Sequence, residues 1–138
     1  MLTRRVLIVD DEISICEMLT IFLENLGMVV TTACDGLVAW EQYREPSFSF
    51  DLMILDMVMP KLGGIELFKR WEVEQPNMNT IFMSGFNMEQ ELKELRKRPY
   101  IEFIEKPFDL RSLIQKIQQL EEAKKEICWR KAQPREGV

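Results

Sequence analysis

The sequence predicts an α/β fold, a doubly wound parallel sheet of five strands with helices on both faces. Three observations predict it. Short apolar runs alternate with stretches of helical period along the chain, and that alternation implies parallel strands joined by crossover helices. The runs Val6-Leu-Ile-Val9, Asp51-Leu-Met-Ile-Leu-Asp56 and Thr80-Ile-Phe-Met83 are continuously apolar in their interiors, as strands buried on both faces require. Each of these runs, and Ile101-Glu-Phe-Ile-Glu105, also delivers a polar residue to its carboxyl end: Asp10 and Asp11, Asp56, Ser84, and Lys106.

Taken in order, Val6–Asp10 is the first strand. Ile13 to Leu26 is a helix, with Ile15, Leu19, Phe22, Leu23 and Leu26 at helical spacing and Gly27 as its stop. Met28–Cys34 is the second strand, Asp35-Gly36 a turn, and Leu37 to Arg44 a helix that ends before Pro46. Asp51–Asp56 is the third strand, and Pro60 to Gly64 a loop. Ile65 to Glu74 is a helix ended by Pro76. Thr80–Ser84 is the fourth strand, Met88 to Lys97 a polar helix stopped near Pro99, and Ile101–Glu105 the fifth strand. A last helix starts after the cap residue Asp109. Its positions Leu110, Leu113, Ile117 and Leu120 suit core contacts. Beyond Leu120 the chain is highly charged, so the domain is expected over residues 1–120, with 121–138 a charged helical extension or tail. Fraying is favoured there over pairing with a partner or second copy, because fewer than three clean heptads are present.

With 138 residues, 46 % apolar and 30 % charged, the chain has the size and balance of one globular domain. A net charge of −5 argues against direct nucleic-acid binding, which draws most of its affinity from basic patches. The first apolar run is too short for a signal-peptide core or a membrane span. Cys16, Cys34 and Cys128 lack metal-ligand spacing. They are expected to be reduced, with Cys16 and Cys34 as small core residues, in a cytoplasmic protein. The chain has no histidine, so it supplies neither a phosphorylated histidine nor a His-ligated metal centre.

The polar strand ends define candidate chemistry. Asp56 stands alone at the end of its strand, and a carboxylate there can attack a phosphoryl group to form an acyl phosphate. Asp10 and Asp11 bring two further carboxylates nearby. Three close carboxylates repel one another, and a divalent cation relieves them. Mg2+ takes octahedral oxygen ligation from a few carboxylates, waters and phosphate oxygens. Lys106 is the candidate for stabilising charge in transfer.

Four pieces in this order, Leu7-Ile-Val-Asp-Asp-Glu12, Leu55-Asp-Met-Val-Met-Pro60 with Gly64, Met83-Ser-Gly85 and Phe103-Ile-Glu-Lys-Pro-Phe108, resemble the receiver domain of two-component response regulators, the chemotaxis regulators among them. The resemblance covers about residues 4 to 120. It implies a flavodoxin-like strand order of 2-1-3-4-5, with the ligand crevice at the strand carboxyl ends. It implies Asp56 as phosphoacceptor and Mg2+ or Mn2+ as cofactor. The metal would be held directly by Asp11, Asp56 and the backbone carbonyl of Val58, with Asp10 acting through water. Lys106 would reach the phosphoryl oxygens, aimed by a cis peptide before Pro107. Ser84 would offer its hydroxyl, and Gly85 room and an N–H. Phe103 would be the aromatic switch residue, following Ser84. The implied phosphodonor is a histidine kinase or a histidine phosphotransfer protein. The fourth helix, fifth strand and fifth helix would form the face for an output protein or a homodimer. Catalysis would extend only to the protein's own phosphorylation and dephosphorylation.

Two departures from the family pattern stand out. Arg96-Lys-Arg-Pro99 fills a stretch where the family often has a Gly-Ala pair. Val58 and Phe86 stand at positions that, by the resemblance, flank the path of hydrolytic water; both are apolar, so a long-lived phosphoryl group is expected. Other readings are a receiver-like interaction module that is never phosphorylated, a metal-dependent phosphatase of the haloacid dehalogenase type, and a nucleotide or flavin binder. The phosphatase needs a second acid where Val58 stands. The binder needs a Gly- or Ser/Thr-rich loop where Asp10-Asp11-Glu12 stands.

Overall fold

A computed structural model describes residues 2–85 and 89–132. The elements are β1 (Arg5–Val9), α1 (Ile13–Asn25), β2 (Val29–Ala33), α2 (Gly36–Tyr43), β3 (Leu52–Asp56), α3 (Gly64–Glu74), β4 (Thr80–Ser84), α4 (Glu89–Leu95), β5 (Ile101–Glu105) and α5 (Leu110–Ala132). One 3-10 turn, Pro46–Phe48, precedes β3 and was not expected from the sequence. The five strands form one parallel sheet in the order β2-β1-β3-β4-β5, which is the flavodoxin-like arrangement.

The pleat of each strand sorts its side chains into two cores. Leu7, Val9, Met53, Leu55 and Phe82 face α2, α3 and α4, where Ala39, Leu67, Phe68, Trp71 and Leu95 pack on them. Val6, Ile8, Leu52, Ile54, Ile81 and Met83 face α1 and α5, meeting Cys16, Leu19, Leu23, Leu113, Ile117 and Leu120. Each fully buried aliphatic side chain contributes about 1.5–3 kcal/mol, so the central strands β1, β3 and β4 form a rigid base. That base carries the polar strand ends.

Most boundaries lie within a residue or two of expectation, the usual scatter at helix and strand ends. Gly27 ends α1 with φ of 91°, a left-handed conformation that glycine takes without steric cost. Asp35 is more than a turn residue: its Oδ1 accepts from Val38 N at 2.8 Å and caps α2. Asp109 caps α5 as expected, accepting from Ser112 N at 2.7 Å. Cys34 is exposed rather than a core residue, while Cys16 is buried. Cys34 follows β2, an edge strand with one of its five residues buried. The expected start of the fourth helix at Met88 lies outside the described residues, and α4 stops at Leu95, short of Lys97.

The last helix continues past Leu120 without interruption to Ala132. Two local features favour this. Glu126 and Arg130 pair at 2.6 Å across one turn, and Arg130 and Lys131 stand at the carboxyl end, where cations favour the helix dipole. A third feature is tertiary. The Glu121 carboxylate accepts from Leu2 N, Thr3 N and Thr3 Oγ1 at 3.1, 3.1 and 2.8 Å, which ties the helix to the start of the chain. Among the described residues no helix is long and apolar enough to cross a membrane.

Candidate functional site

The strand order sets β1, β3 and β4 side by side, so Asp10, Asp56 and Ser84 gather at one edge of the sheet. Asp10 is completely buried and Asp56 nearly so, while Asp11 is exposed. Carboxylate oxygens of Asp10, Asp11 and Asp56 all lie within 4.8 Å of one another. Lys106 leaves β5 and reaches over the end of β4 into this cluster. Its Nζ lies 2.7 Å from Asp10 Oδ2, 3.3 Å from Glu12 Oε1 and 3.4 Å from Asp56 Oδ2. The Lys106 N–H donates to Ser84 O at 2.8 Å, which ties the lysine backbone to the end of β4. The Lys106–Pro107 peptide is cis.

The electrostatics are unbalanced. Three carboxylates face one ammonium, and two like charges about 5 Å apart repel by roughly 3–4 kcal/mol at an effective dielectric of 20. Burial and the neighbouring charge of Asp10 push the Asp56 carboxyl up to about 6, against the pull of Lys106 and of the Val58 N–H. Burial alone would lower Lys106, but its hydrogen bond to Asp10 and the charges of Asp10 and Asp56 hold it above the usual lysine range. Cys16, buried and close to Asp10, is pushed up to about 11, so it stays a thiol and takes no part as a thiolate.

An all-oxygen, excess-negative donor set of this kind fits a hard divalent cation. The acidic cluster is therefore able to hold a metal, with Asp10, Asp11 and Asp56 as the available carboxylates.

The loop after β3 is folded tightly against Asp56. The Val58 N–H donates to Asp56 Oδ1 at 3.3 Å, while the Val58 side chain is exposed. Gly64 packs so closely that a Cβ there would collide with the Asp56 carbonyl oxygen. Glycine is therefore required for the β3–α3 loop to return to the strand. At Gly85 an added Cβ would meet nothing within 4 Å among the described residues, so as far as these reach the space beside the β4 end is open. Ser84 is buried. Phe103 is half-buried on β5 and stacks on Phe82 with ring centroids 5.6 Å apart. Phe86 lies outside the described residues.

The structure thus brings Asp10, Asp11, Asp56, Ser84 and Lys106 to one place, with Val58 and Gly85 on its rim. Three side-chain contacts were not expected from the sequence. Glu12 adds a third acidic contact to Lys106. Arg96 lies over the ring of Phe103, with Cζ 5.3 Å from the centroid, and Arg98 pairs with Glu72 at 2.6 Å. The arginines stand in the stretch that departs from the family pattern, which was the one visible signal. Their partners could not be read from spacing.

Comparison with known proteins agrees with the fold. The family model for the response regulator receiver domain matches residues 6–118. The response regulator receiver protein CpdR of Brucella abortus is 31 % identical over 117 residues, covering 85 % of this chain and 96 % of CpdR. The transcriptional regulatory protein ZraR of Klebsiella oxytoca is 32 % identical over 108 residues, covering 78 % of this chain, and the match spans only 24 % of ZraR. Among solved structures, chemotaxis protein CheY4 of Vibrio cholerae superposes with a TM-score of 0.76 at 27 % identity, covering 86 % of this chain and 98 % of that one.

Proposed function

The chain belongs to the response regulator receiver domain family of two-component signalling, and from that premise we propose that it is a phosphoacceptor whose reacting group is Asp56. A carboxylate oxygen of Asp56 attacks the phosphorus of a phosphohistidine on a histidine kinase or phosphotransfer protein. The new O–P bond forms as the N–P bond breaks, and the leaving imidazole takes up a proton. Lys106 stabilises charge on the phosphoryl oxygens during transfer. The Ser84 hydroxyl and the Gly85 N–H donate to those oxygens, and the open space beside Gly85 leaves room for them.

Asp11, Asp56 and the Val58 carbonyl would hold Mg2+ or Mn2+ directly, and Asp10 would act through water. When bound, the cation offsets the excess negative charge of the acids and of the phosphoryl group. After transfer, Ser84 and Phe103 respond and alter the face made by α4, β5 and α5, which meets an output protein or a second copy. The protein acts in the cytoplasm, and its catalysis is confined to its own phosphorylation and dephosphorylation.

The observation that carries this reading is the single ammonium of Lys106 set between the buried carboxylates of Asp10 and Asp56, with Asp11 beside them. Intact mass after incubation with Mg2+ and acetyl phosphate tests it. One added phosphoryl group is expected, absent in Asp56→Asn and abolished by EDTA. A folded protein that gains no mass would overturn the reading in favour of an interaction module.

A further inference from the structure

The connection between α4 and β5, Arg96-Lys-Arg-Pro99, carries two arginines that make no contact with the acidic cluster. Both are anchored, in different places. Arg98 forms a two-pronged ion pair with Glu72 of α3, Nε lying 2.6 Å from Oε2 and Nη2 2.9 Å from Oε1. Its guanidinium also lies over Phe68, with Cζ 5.5 Å from the ring centroid. The Tyr100 hydroxyl donates to the same Glu72 carboxylate at 2.7 Å. A planar guanidinium with two parallel hydrogen bonds fixes orientation as well as distance. The far end of the connection is therefore pinned to α3.

Its near end continues from the last turn of α4, with the Arg96 N–H donating to Leu92 O at 2.9 Å. The Arg96 guanidinium covers the Phe103 ring. That ring in turn stacks on Phe82, two residues before Ser84 on β4. Direct contacts and one short stretch of backbone thus link Glu72, Arg98, Arg96, Phe103 and Phe82.

Resting on the reading of Phe103 as the side chain that responds to phosphorylation, we propose that Arg96 and Arg98 form a two-anchor latch holding Phe103 and the α4–β5 connection in the arrangement of the unphosphorylated protein. Arg98 fixes where the connection sits, and Arg96, positioned by it, covers the aromatic face. Turning the ring toward Ser84 breaks the contact with the guanidinium. The phosphoryl group must therefore favour the turned state by more than that contact is worth. Cation–ring contacts at partly exposed sites are weak, so the latch sets the balance between two states without forbidding either. Arg96 and Arg98 are positioning residues, since neither touches the reacting atoms.

The test uses the full chain, with Mg2+ and beryllofluoride in place of the phosphoryl group, and reads apparent affinity by NMR titration. Arg96→Gln is expected to bind beryllofluoride about two- to fivefold more tightly than the parent. Glu72→Gln should shift affinity the same way, and adding it to Arg96→Gln should give little more, because both act through one contact. Unchanged or weaker binding by a folded Arg96→Gln overturns the latch.

A second measurement needs no phosphoryl mimic. In protein with labelled phenylalanine, the Phe103 side-chain rotamer should be single in the parent and averaged over two states in Arg96→Gln. A single, unchanged rotamer in the variant also overturns the latch. If neither parent nor variant binds beryllofluoride, the phosphoacceptor reading fails, and the rotamer measurement still decides whether Arg96 holds the ring.

Discussion

Two ion-pair networks stand at opposite balances in this protein. Around Lys106, one ammonium serves Asp10, Glu12 and Asp56, and Asp56 is pushed up toward neutrality of charge. Around Glu72, one carboxylate meets the Arg98 fork and the Tyr100 hydroxyl. There burial opposes ionisation, but the hydrogen bonds from Arg98 and Tyr100 outweigh it and hold Glu72 below the usual carboxylate range. The same interaction type gives strain in one place and restraint in the other. The difference is the number of acids per cation. An over-supplied acid cluster is poised to take up positive charge, while a satisfied pair fixes two elements in register.

The largest expected effect tests the strained network. Lys106→Ala should lower the rate of phosphorylation by acetyl phosphate about 10²–10³-fold, the usual cost of one charge-stabilising donor. Initial rates by intact mass check it, and a rate within a few-fold of the parent would remove Lys106 from the transfer step.

The next test sets the two networks against each other. Without metal, Asp56→Asn removes a repelled charge and should stabilise the fold by about 1–2 kcal/mol. Glu72→Gln removes a satisfied one and should destabilise it by about 1–2 kcal/mol. Urea unfolding in EDTA reads both, and effects of the same sign would erase the contrast. The pH dependence sharpens the second arm. Because folding lowers the Glu72 carboxyl below the ordinary glutamate value of 4.5, its contribution is fully present above that value. It is lost as pH falls through the lower folded value. The gap between parent and Glu72→Gln should therefore hold from neutral pH to about pH 5 and close in stronger acid. A gap that closes above pH 5 would rule out Glu72 as its source.

The smallest effect lies on the rim of the acid site. The exposed, apolar Val58 side chain cannot orient a water, so Val58→Asn should shorten the phosphoryl lifetime by a few-fold. Equal decay of the phosphorylated species in parent and variant would show that the side chain at this position does not limit hydrolysis.

Much of the site was legible because its residues are marked by local pattern. Asp10, Asp56, Ser84 and Lys106 each end an apolar strand, and the parallel sheet gathers strand ends without further information. The arginine contacts were not legible. Arg98 and Glu72 are 26 residues apart, and nothing in either local sequence selects the other. Cys34 was misjudged for a related reason: its neighbours look like strand residues, but only the strand order makes β2 an edge. The contact that anchors the helix beyond Leu120 was not legible either. The charge pattern there reads as solvated surface, and the bond from Glu121 to Thr3 spans 118 residues.

The sequence by itself determined the α/β class, the five strands, the two-sided burial of the central ones and the identity of the acidic site. These follow from periodicity and strand-end chemistry, which are properties of neighbouring residues. Tertiary structure decided how Lys106 divides one charge among three acids, where the two arginines anchor, and how far α5 runs as a helix. Those outcomes depend on distances between segments remote in sequence, and electrostatic and aromatic contacts take their strength from such distances.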